Sequence, residues 1–295
     1  MSKRKPPRAK SGTGPHQPAG GADIPAGGAD IPVCPPLPPE GLVPPLPQPA
    51  EFSGKVAVVT GGTDGLGKHL CRTLVSLGAE VFFCGRRAEL GRALEREWGA
   101  RAHFVRCDLA SATEPAQFVR RAGEFRGRLD YLVNNAAVDR RTDIRTATVA
   151  DFEQLFNINM RAYFLVCQAA IPYLEKGAGK AVVNIGTTNC MHGWAGMSVY
   201  SASKSAIVGF TRTLARDLSG SGIRVNTLSP GWIMTERQLA DLVSDAEKRD
   251  LVATQCVKHL LTEQFVTPVT LFLLSKASLG LSGQNLVVDG GKIFQ

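Results

Sequence analysis

The chain has 295 residues, of which 44% are hydrophobic, and carries a formal net charge of +8 at pH 7. This hydrophobic content is ample for a folded core, yet no apolar run approaches the about 18 residues of a membrane span, and no aromatic-interleaved basic patch indicates nucleic-acid binding. The seven cysteines are scattered singly, without a Cys-x-x-Cys pair or a histidine cluster, so we expect free thiols in a reducing compartment and no metal site.

Residues 1 to 50 are predicted to form a disordered tail rich in proline and glycine. They hold 14 of the 18 prolines and repeat Ala-Gly-Gly-Ala-Asp-Ile-Pro, at Ala19 to Pro25 and at Ala26 to Pro32. Such a segment cannot bury enough apolar surface to offset the entropy lost on ordering. It has neither the apolar core of a secretory signal nor an Arg-rich amphipathic helix, so we expect a cytoplasmic location.

From Glu51 onward, strand and helix patterns alternate. This alternation predicts one α/β domain, residues 51 to 295, built on a doubly wound parallel sheet with helices on both faces. Two long helices are predicted, from about Val149 to Leu174 and from about Ser198 to Leu218, because apolar residues recur three and four apart. The predicted strands lie near Val56 to Thr60, Glu80 to Cys84, Ala102 to Arg106, Tyr131 to Asn134, Ala181 to Ile185, Arg224 to Leu228 and Asn285 to Val288.

The stretch from Val56 to Gly67 predicts a phosphate-binding turn. A strand of four apolar residues runs into Gly61, Gly65 and Gly67, and a helix is expected to begin near Leu66. Glycines at these positions let backbone N–H groups and the helix N-terminus reach a pyrophosphate. Their G-x-x-x-G-x-G spacing departs from the commoner G-x-G-x-x-G, and a plain turn is the alternative interpretation.

The end of the second predicted strand bears on the choice of cofactor. In dinucleotide folds an acid at this point binds the ribose 2′-hydroxyl, whereas an arginine accommodates a 2′-phosphate. Gly85 stands in the place of the acid, and Arg86, with Arg87 beside it, favours NADP. Asp64 in the glycine turn puts a negative charge nearby, so NAD stays open as the alternative.

Polar and small residues follow the third and fourth strands. Asp108 and Leu109 end the third strand, where a carboxylate can accept a hydrogen bond from an adenine amino group, and Asn134 to Ala137 end the fourth. Small residues let the backbone approach a ligand closely. Both segments are expected at the carboxyl edge of the sheet, where open α/β sheets bind ligands.

Tyr200 and Lys204 are four residues apart and are therefore predicted to share one face of a helix. An ammonium beside a phenol stabilises the phenolate and lowers the tyrosine pKa from its usual value of about 10. This pair is typical of proton transfer near neutral pH.

With these pieces in place, the chain resembles the short-chain dehydrogenase/reductase family from about Phe52 to Phe294. The resemblance implies a Rossmann-type fold and reversible hydride transfer between a nicotinamide cofactor and an alcohol or carbonyl carbon. The matching segments are Thr60-Gly-x-x-x-Gly-x-Gly67, Asp108, Asn134-Asn-Ala-Ala137, Asn159, Thr187, Tyr200-x-x-x-Lys204, Pro230-Gly-x-x-x-Thr235 and Asp289-Gly-Gly.

The same resemblance implies roles for individual residues. Tyr200 would be the catalytic acid/base, and Lys204 would lower its pKa and hold the nicotinamide ribose. Thr187 would orient the substrate, and Asn159 would hold a water for proton relay unless it only caps or kinks its helix. The implied cofactor-binding residues are Gly61, Thr63, Gly65, Leu66, Gly67, Arg86, Asp108, Leu109, Asn135, Tyr200, Lys204, Ile233 and Thr235.

Two positions depart from the family pattern. Thr187 stands where the family has a serine, 13 residues before the tyrosine, and Ala137 replaces a usual glycine. A threonine hydroxyl donates the same hydrogen bond as serine, but its methyl group restricts χ1 and narrows the pocket. We expect activity to be retained, with Thr188 as the alternative hydroxyl if the loop registers differently.

The substrate is predicted to be a sugar or another polyol. Pro230 to Gln238, Gln255-Cys256 and Asp139 to Arg141 resemble the family branch that oxidises aldoses. The polar groups predicted to line the pocket are Asp139, Arg141, His192, Glu236, Arg237 and Gln238, with a solvated loop as the alternative interpretation. Trp194 and Met197 are predicted to form an apolar wall of the pocket or to pack beneath it.

Three further expectations stay open at this point. Reduction of a 3-oxoacyl or other keto group is the alternative activity. A nucleotide-binding regulator with little turnover is the alternative from another class of protein. The two long helices are the family's usual subunit faces, so the resemblance implies a homotetramer or a dimer.

Overall fold

The computed structural model describes residues 48–236 and 238–294. The predicted tail lies outside the described residues except for its last three positions. A 3-10 turn, Pro49–Glu51, precedes the sheet, and the Tyr131 hydroxyl donates to the Glu51 carbonyl oxygen at 3.2 Å. The division into tail and domain at residue 51 stays a prediction.

The described residues form one seven-stranded parallel sheet in the order β3-β2-β1-β4-β5-β6-β7. The predicted strands and the doubly wound fold are thereby confirmed. The order reverses between β1 and β4, and this switch point is where open α/β sheets bind ligands. The strands are β1 (Val56–Val59), β2 (Glu80–Gly85), β3 (Ala102–Arg106), β4 (Tyr131–Asn134), β5 (Ala181–Ile185), β6 (Arg224–Pro230) and β7 (Asn285–Val288).

Helices cover both faces of the sheet, as the crossover connections of parallel strands require. The first of them, α1, begins at Gly65, one residue before its predicted start, because the Asp64 carboxylate caps it by accepting from the Gly65 N–H at 2.9 Å. Among the described residues the α-helices are α1 (Gly65–Ser76), α2 (Ala88–Trp98), α3 (Glu114–Arg126), α4 (Val149–Phe156), α5 (Ala162–Leu174), α6 (Asn189–His192), α7 (Ser198–Asp217), α8 (Asp245–Thr254) and α9 (Glu263–Leu274).

Alternate residues of β1 supply the two layers of the core. Ala57 and Val59 face one side and pack in a cluster with Leu70 of α1. Val56 and Val58 face the other side, in a cluster that includes residues of α3 and α5. Each strand residue is fully buried, which explains why the strand reads as a continuous apolar run rather than an alternating one.

The predicted long helix from Val149 to Leu174 is present but contains a change of pitch. A π-helical turn, Asn157–Arg161, separates α4 from α5. Such turns occur frequently at functional sites. The turn places Asn159 against Val138, whose backbone N–H donates to the Asn159 side chain at 2.9 Å.

A buried cation ties the sheet to α9. The Arg224 side chain on β6 donates to the carbonyl oxygens of Leu273, Leu274, Ser275 and Ser278, at 2.9 to 3.3 Å, and to the Ser278 hydroxyl at 2.8 Å. These acceptors lie in the last turn of α9 and just after it, where the helix dipole favours a positive charge. The guanidinium therefore caps the last helix from inside the core.

Candidate active site

The turn after β1 has backbone geometry that only small residues tolerate. Gly61 and Gly65 have φ values of +67° and +47°, in the left-handed region that favours glycine. A Cβ on Gly61 would lie 2.9 Å from Ala136. A Cβ on Gly67 would lie 2.2 Å from the Gly61 carbonyl oxygen, so this glycine lets α1 start directly against the turn.

The turn is fastened to the end of β4 by Thr60 and Asn135. The Thr60 hydroxyl accepts from the backbone N–H groups of Asn135 and Ala136, at 3.0 and 3.1 Å. The Asn135 side chain in turn donates to the carbonyl oxygens of Thr60 and Gly61, at 3.0 and 3.2 Å. Asn135 thus shapes the turn, and Thr60 is a supporting residue to which no role had been assigned.

A cleft of about 700 Å³ opens at the carboxyl ends of β1, β4 and β5. Gly67 lies beneath the turn rather than in the cleft lining, and Ile233 packs against the core. The other predicted cofactor-binding residues line the cleft, namely Gly61, Thr63, Gly65, Leu66, Arg86, Asp108, Leu109, Asn135, Tyr200, Lys204 and Thr235.

The charges where the cleft meets the end of β2 bear on the choice between NADP and NAD. Arg87 pairs with Asp64 at 3.0 Å, which neutralises the carboxylate that had counted against NADP. Among the described residues Arg86 has no ion-pair partner, and it is exposed at the cleft. A Cβ on Gly85 would lie 2.7 Å from the Thr63 hydroxyl, so an acid at position 85 would require the Thr63 side chain to shift.

Tyr200 lies near the start of α7 with its side chain almost fully buried and its hydroxyl beside Thr187. Burial raises its pKa to about 12, and the hydrogen bond with the Thr187 side chain acts in the opposite direction. The structure therefore pairs Tyr200 with Thr187. Thr188 instead begins α6, and its backbone carbonyl accepts from Met191 and His192.

The expected lowering of the Tyr200 pKa by Lys204 is not what this structure shows. The Lys204 ammonium donates to the Ile185 carbonyl oxygen at 2.7 Å and to the Tyr163 hydroxyl at 3.3 Å. The four-residue spacing correctly predicts that Lys204 shares a face of α7 with Tyr200 and lines the cleft. The ammonium, however, donates to Ile185 and Tyr163 rather than to the Tyr200 phenol. Burial lowers the pKa of Lys204 to about 7.

The Asn159 side chain is fully engaged by protein groups. Its carbonyl oxygen accepts from the Val138 N–H, and its amide donates to the Val138 carbonyl and to the Ser203 hydroxyl, both at 3.0 Å. Ser203 donates to the Tyr200 carbonyl oxygen at 2.7 Å. The side chain therefore joins the π-helical turn to α7 and the β4 edge, and its role in holding a water stays a prediction.

We predict that Lys204→Met stabilises the nucleotide-free protein at pH 7. The folded pKa of about 7 lies below the ordinary value of 10.5, so the unfolded chain binds the extra proton between these values. Stability of the wild type therefore rises with pH across that window, and the advantage of the variant shrinks toward pH 10. Urea unfolding at pH 7 and pH 10 measures this, with exposed Lys176→Met as the control. An advantage of the Lys204 variant that does not change with pH would contradict the assignment.

An aromatic cluster lies beside Tyr200. Trp194 packs in the cluster that contains Tyr200 and Met197 and meets Trp232 edge to face, with ring centroids 5.8 Å apart. The Lys292 ammonium lies 5.6 Å from the Trp194 ring centroid. A cavity of about 320 Å³ adjoins these three residues. Neither Trp232 nor Lys292 had been singled out, because only the fold brings them to Trp194.

The predicted polar pocket residues separate into two groups. Asp139 and Gln238 line the cleft, and the His192 ring is tilted against the Trp194 ring, with the ring centroids 5.4 Å apart. Glu236 is instead exposed and pairs with Lys68 on α1 at 3.4 Å. Arg141 is exposed. The sixth predicted residue, Arg237, lies outside the described residues.

Metal-binding clusters and membrane-spanning helices are two further features that the described residues lack. No cluster of three or more His, Cys, Asp or Glu side chains with metal-binding geometry occurs in that part of the chain. Within the same residues, no helix is both long and apolar enough to span a bilayer.

A parallel sheet with a glycine turn at its switch point and a Tyr-x-x-x-Lys helix at the same edge defines a Rossmann-type nucleotide-binding domain. The sequence matches the family model for short chain dehydrogenase over residues 55–243. The chain belongs to this family and is an NAD(P)-dependent oxidoreductase of the kind that acts on CH–OH groups.

Two curated relatives and one solved structure illustrate the likeness. The chain is 30% identical over 251 residues to Probable galactose dehydrogenase GalD of Rhizobium meliloti, covering 84% of this chain and 98% of that protein. It is 29% identical over 244 residues to the 3-oxoacyl acyl-carrier-protein reductase FabG of Chlamydia pneumoniae, covering 82% of this chain and 98% of that protein. A short chain dehydrogenase from Burkholderia cenocepacia J2315 in complex with NADP superposes with a TM-score of 0.76 at 32% identity. The superposition covers 82% of this chain and 99% of that structure's chain.

Proposed function

We propose that the protein interconverts an alcohol and a carbonyl compound with NADP as cofactor and a sugar or another polyol as substrate. The observation that carries the proposal is the buried Tyr200 phenol, which meets the Thr187 hydroxyl in the cleft that the glycine turn and Lys204 also line. When bound, the nicotinamide supplies the hydride donor or acceptor that amino-acid side chains lack.

The residues of the cleft fit a dinucleotide. The turn at Gly61 and Gly65 faces the cleft with backbone and with the N-terminus of α1, which suits a pyrophosphate. In this proposal Thr63 and Leu66 complete the phosphate site, and Asp108 binds the adenine. The remaining nucleotide contacts would come from Leu109, Asn135, Lys204 and Thr235.

Tyr200 acts as the proton donor and acceptor in this proposal. Because its pKa is about 12, the hydroxyl is protonated at neutral pH and is ready to donate to the oxygen of a carbonyl substrate. Oxidation of an alcohol needs the phenolate instead, and Thr187 favours that form through its hydrogen bond. Asn159 serves as a positioning residue, because it fixes Ser203 one turn from the phenol.

We predict that Arg86→Gln lowers the affinity for NADP by about tenfold to a hundredfold, the loss expected for a charge-assisted hydrogen bond to phosphate. Affinity for NAD should change little, because NAD lacks the 2′-phosphate. Fluorescence titration of both reduced nucleotides measures the two affinities. An equal loss for NADP and NAD would show that Arg86 does not contact the 2′-phosphate.

The substrate side of the cleft supports a polyhydroxylated ring. Asp139 and Gln238 line the cleft and supply hydrogen-bonding groups of both kinds. Trp194, Trp232 and Lys292 line a separate cavity of about 320 Å³, and in this proposal they extend the substrate site, because Trp194 packs in the cluster that contains Tyr200. GalD, a relative, is named as a sugar dehydrogenase. FabG, which acts on 3-oxoacyl groups by its name, keeps the keto-group alternative in view.

A substrate panel tests the choice between these two activities. Aldoses and polyols with NADP, and 3-oxoacyl thioesters with NADPH, are compared by absorbance at 340 nm. The proposal expects the higher kcat/KM with an aldose or polyol. A preference for the thioesters would replace the sugar substrate by a keto group while leaving the oxidoreductase assignment intact.

We further propose a cytoplasmic homo-oligomer, either a tetramer or a dimer. Support comes from the helix pair formed by α4 and α5, which exposes apolar side chains at Val149 (74%), Phe152 (47%) and Phe164 (45%). Sedimentation of the purified protein tests the assembly.

A further inference from the structure

A buried tyrosine, Tyr163, contacts the Lys204 ammonium from outside the cleft lining. Tyr163 is the second residue of α5, just after the π-helical turn, and its side chain is 1% exposed. Its hydroxyl donates to the Ile185 carbonyl oxygen at 3.2 Å. The Lys204 ammonium donates to that same carbonyl at 2.7 Å and to the Tyr163 hydroxyl at 3.3 Å.

These three contacts form a closed triangle of ammonium, hydroxyl and backbone carbonyl. An ammonium has three N–H donors, and the triangle engages two of them. The third is left for the cleft, which Lys204 lines. The Tyr163 ring adds to the site, because its centroid lies 5.3 Å from the ammonium.

We propose that Tyr163 is a positioning residue for Lys204, whose ammonium it holds charged and aimed at the nucleotide cleft. The inference rests on the proposed function, since it assumes that Lys204 binds the nucleotide. Tyr163 itself does not line the cleft, so its effect on a bound nucleotide passes through Lys204.

The Tyr163 hydroxyl helps to keep Lys204 charged, because the ammonium lacks a negatively charged partner among the described residues. Lys204 is almost fully buried, and no carboxylate forms an ion pair with it among the described residues. The titratable groups that act on this pair are Tyr200, Cys190, Cys167 and, through Tyr200, Asp139. Neutral oxygen acceptors therefore stabilise the ammonium, and Tyr163 supplies one of them.

The test is Tyr163→Phe, which removes one oxygen and keeps the ring. We expect the pH at which nucleotide affinity falls on the alkaline side to move down by about one unit, because the charged lysine loses an acceptor. Titration of the full chain with NADPH, followed by fluorescence between pH 6 and pH 10, measures this directly. At pH 8 the variant should bind NADPH about tenfold more weakly, while at pH 6 the two affinities should differ by no more than about twofold.

Tyr131→Phe is the matched control. Tyr131 is also buried and also donates its hydroxyl to a backbone carbonyl, that of Glu51. It should show a comparable change in stability and no shift of the pH profile. A Tyr163→Phe profile that overlays the wild type would overturn the inference while leaving the proposed function standing. Wild-type protein that does not bind NADPH at any pH would instead overturn the proposed function, and this inference with it.

If Tyr163→Phe does not fold in buffer alone, the same titration in the presence of a stabilising osmolyte gives a second measurement. The downward shift of the profile should again be about one unit. A shift no larger than that of Tyr131→Phe would again contradict the role of Tyr163.

Discussion

Tyr200→Phe slows turnover by on the order of 10³-fold, the typical contribution of a positioned acid or base. Phenylalanine keeps the ring that packs with Leu155, Met197 and Val199 and loses only the hydroxyl beside Thr187. Folding and nucleotide binding are therefore expected to survive. Turnover at saturating substrate, with NADPH binding measured on the same preparation, separates the chemical step from affinity.

Tyr173→Phe is the control for this substitution. It makes the same chemical change at a tyrosine that packs against Gly123, away from the cleft. Its turnover should match the wild type. Retention of full turnover by Tyr200→Phe would remove the phenol from the chemistry, and an equal loss of nucleotide binding would indicate a folding defect rather than a lost proton donor.

Arg224→Leu lowers the free energy of unfolding by about 3 kcal/mol, because it leaves several buried acceptors without their donor. The substitution removes the hydrogen bonds to the carbonyl oxygens of Leu273, Leu274, Ser275 and Ser278. Arginine suits this position because its planar fork reaches several acceptors at once. Loss of the charge also removes a favourable interaction with the C-terminus of α9.

Urea unfolding at fixed protein concentration measures the cost of Arg224→Leu. Exposed Arg120→Leu on α3 is the control and should change stability by less than about 0.5 kcal/mol. If both variants unfold at the same urea concentration, the buried guanidinium does not hold α9 to the sheet as described.

The strands and the glycine turn could be predicted from the sequence because they rest on local chemistry. Val56 to Val59 is buried on both faces and is apolar throughout, and Gly61 must adopt a positive φ that glycine favours. The Tyr200 and Lys204 spacing likewise fixed one helix face. Each of these features is decided within a few neighbouring residues.

The contacts of Lys204 could not be predicted in this way. They depend on Tyr163 and Ile185, which are 41 and 19 residues distant in sequence and meet only when α5, β5 and α7 pack together. A local signal did exist for Tyr163, because it lies four residues after Asn159. That spacing would place both on one face of a regular α-helix, but Asn159 lies inside the π-helical turn, where the α-helical spacing does not apply.

The aromatic cluster around Trp194 could likewise be predicted only in part. Trp194 could be predicted because it lies between Thr187 and Tyr200 in the chain. Trp232 follows β6 and Lys292 lies in the C-terminal segment, so only the fold brings them to Trp194. The ion pair between Arg87 and Asp64 also could not be predicted from the sequence alone. The sequence shows both charges, but only the fold shows that they pair at 3.0 Å.

Isotope transfer tests the central claim, hydride exchange in the cleft shared by Tyr200 and Lys204, most directly. NADPH carrying deuterium on one or the other face of nicotinamide C4 is incubated with the protein and the best carbonyl substrate of the panel. Mass spectrometry should find one deuterium on the new carbinol carbon for one of the two labelled forms. Alcohol free of deuterium with both forms, or a protein that binds NADPH and turns over no member of the panel, would contradict the account and favour a nucleotide-binding regulator.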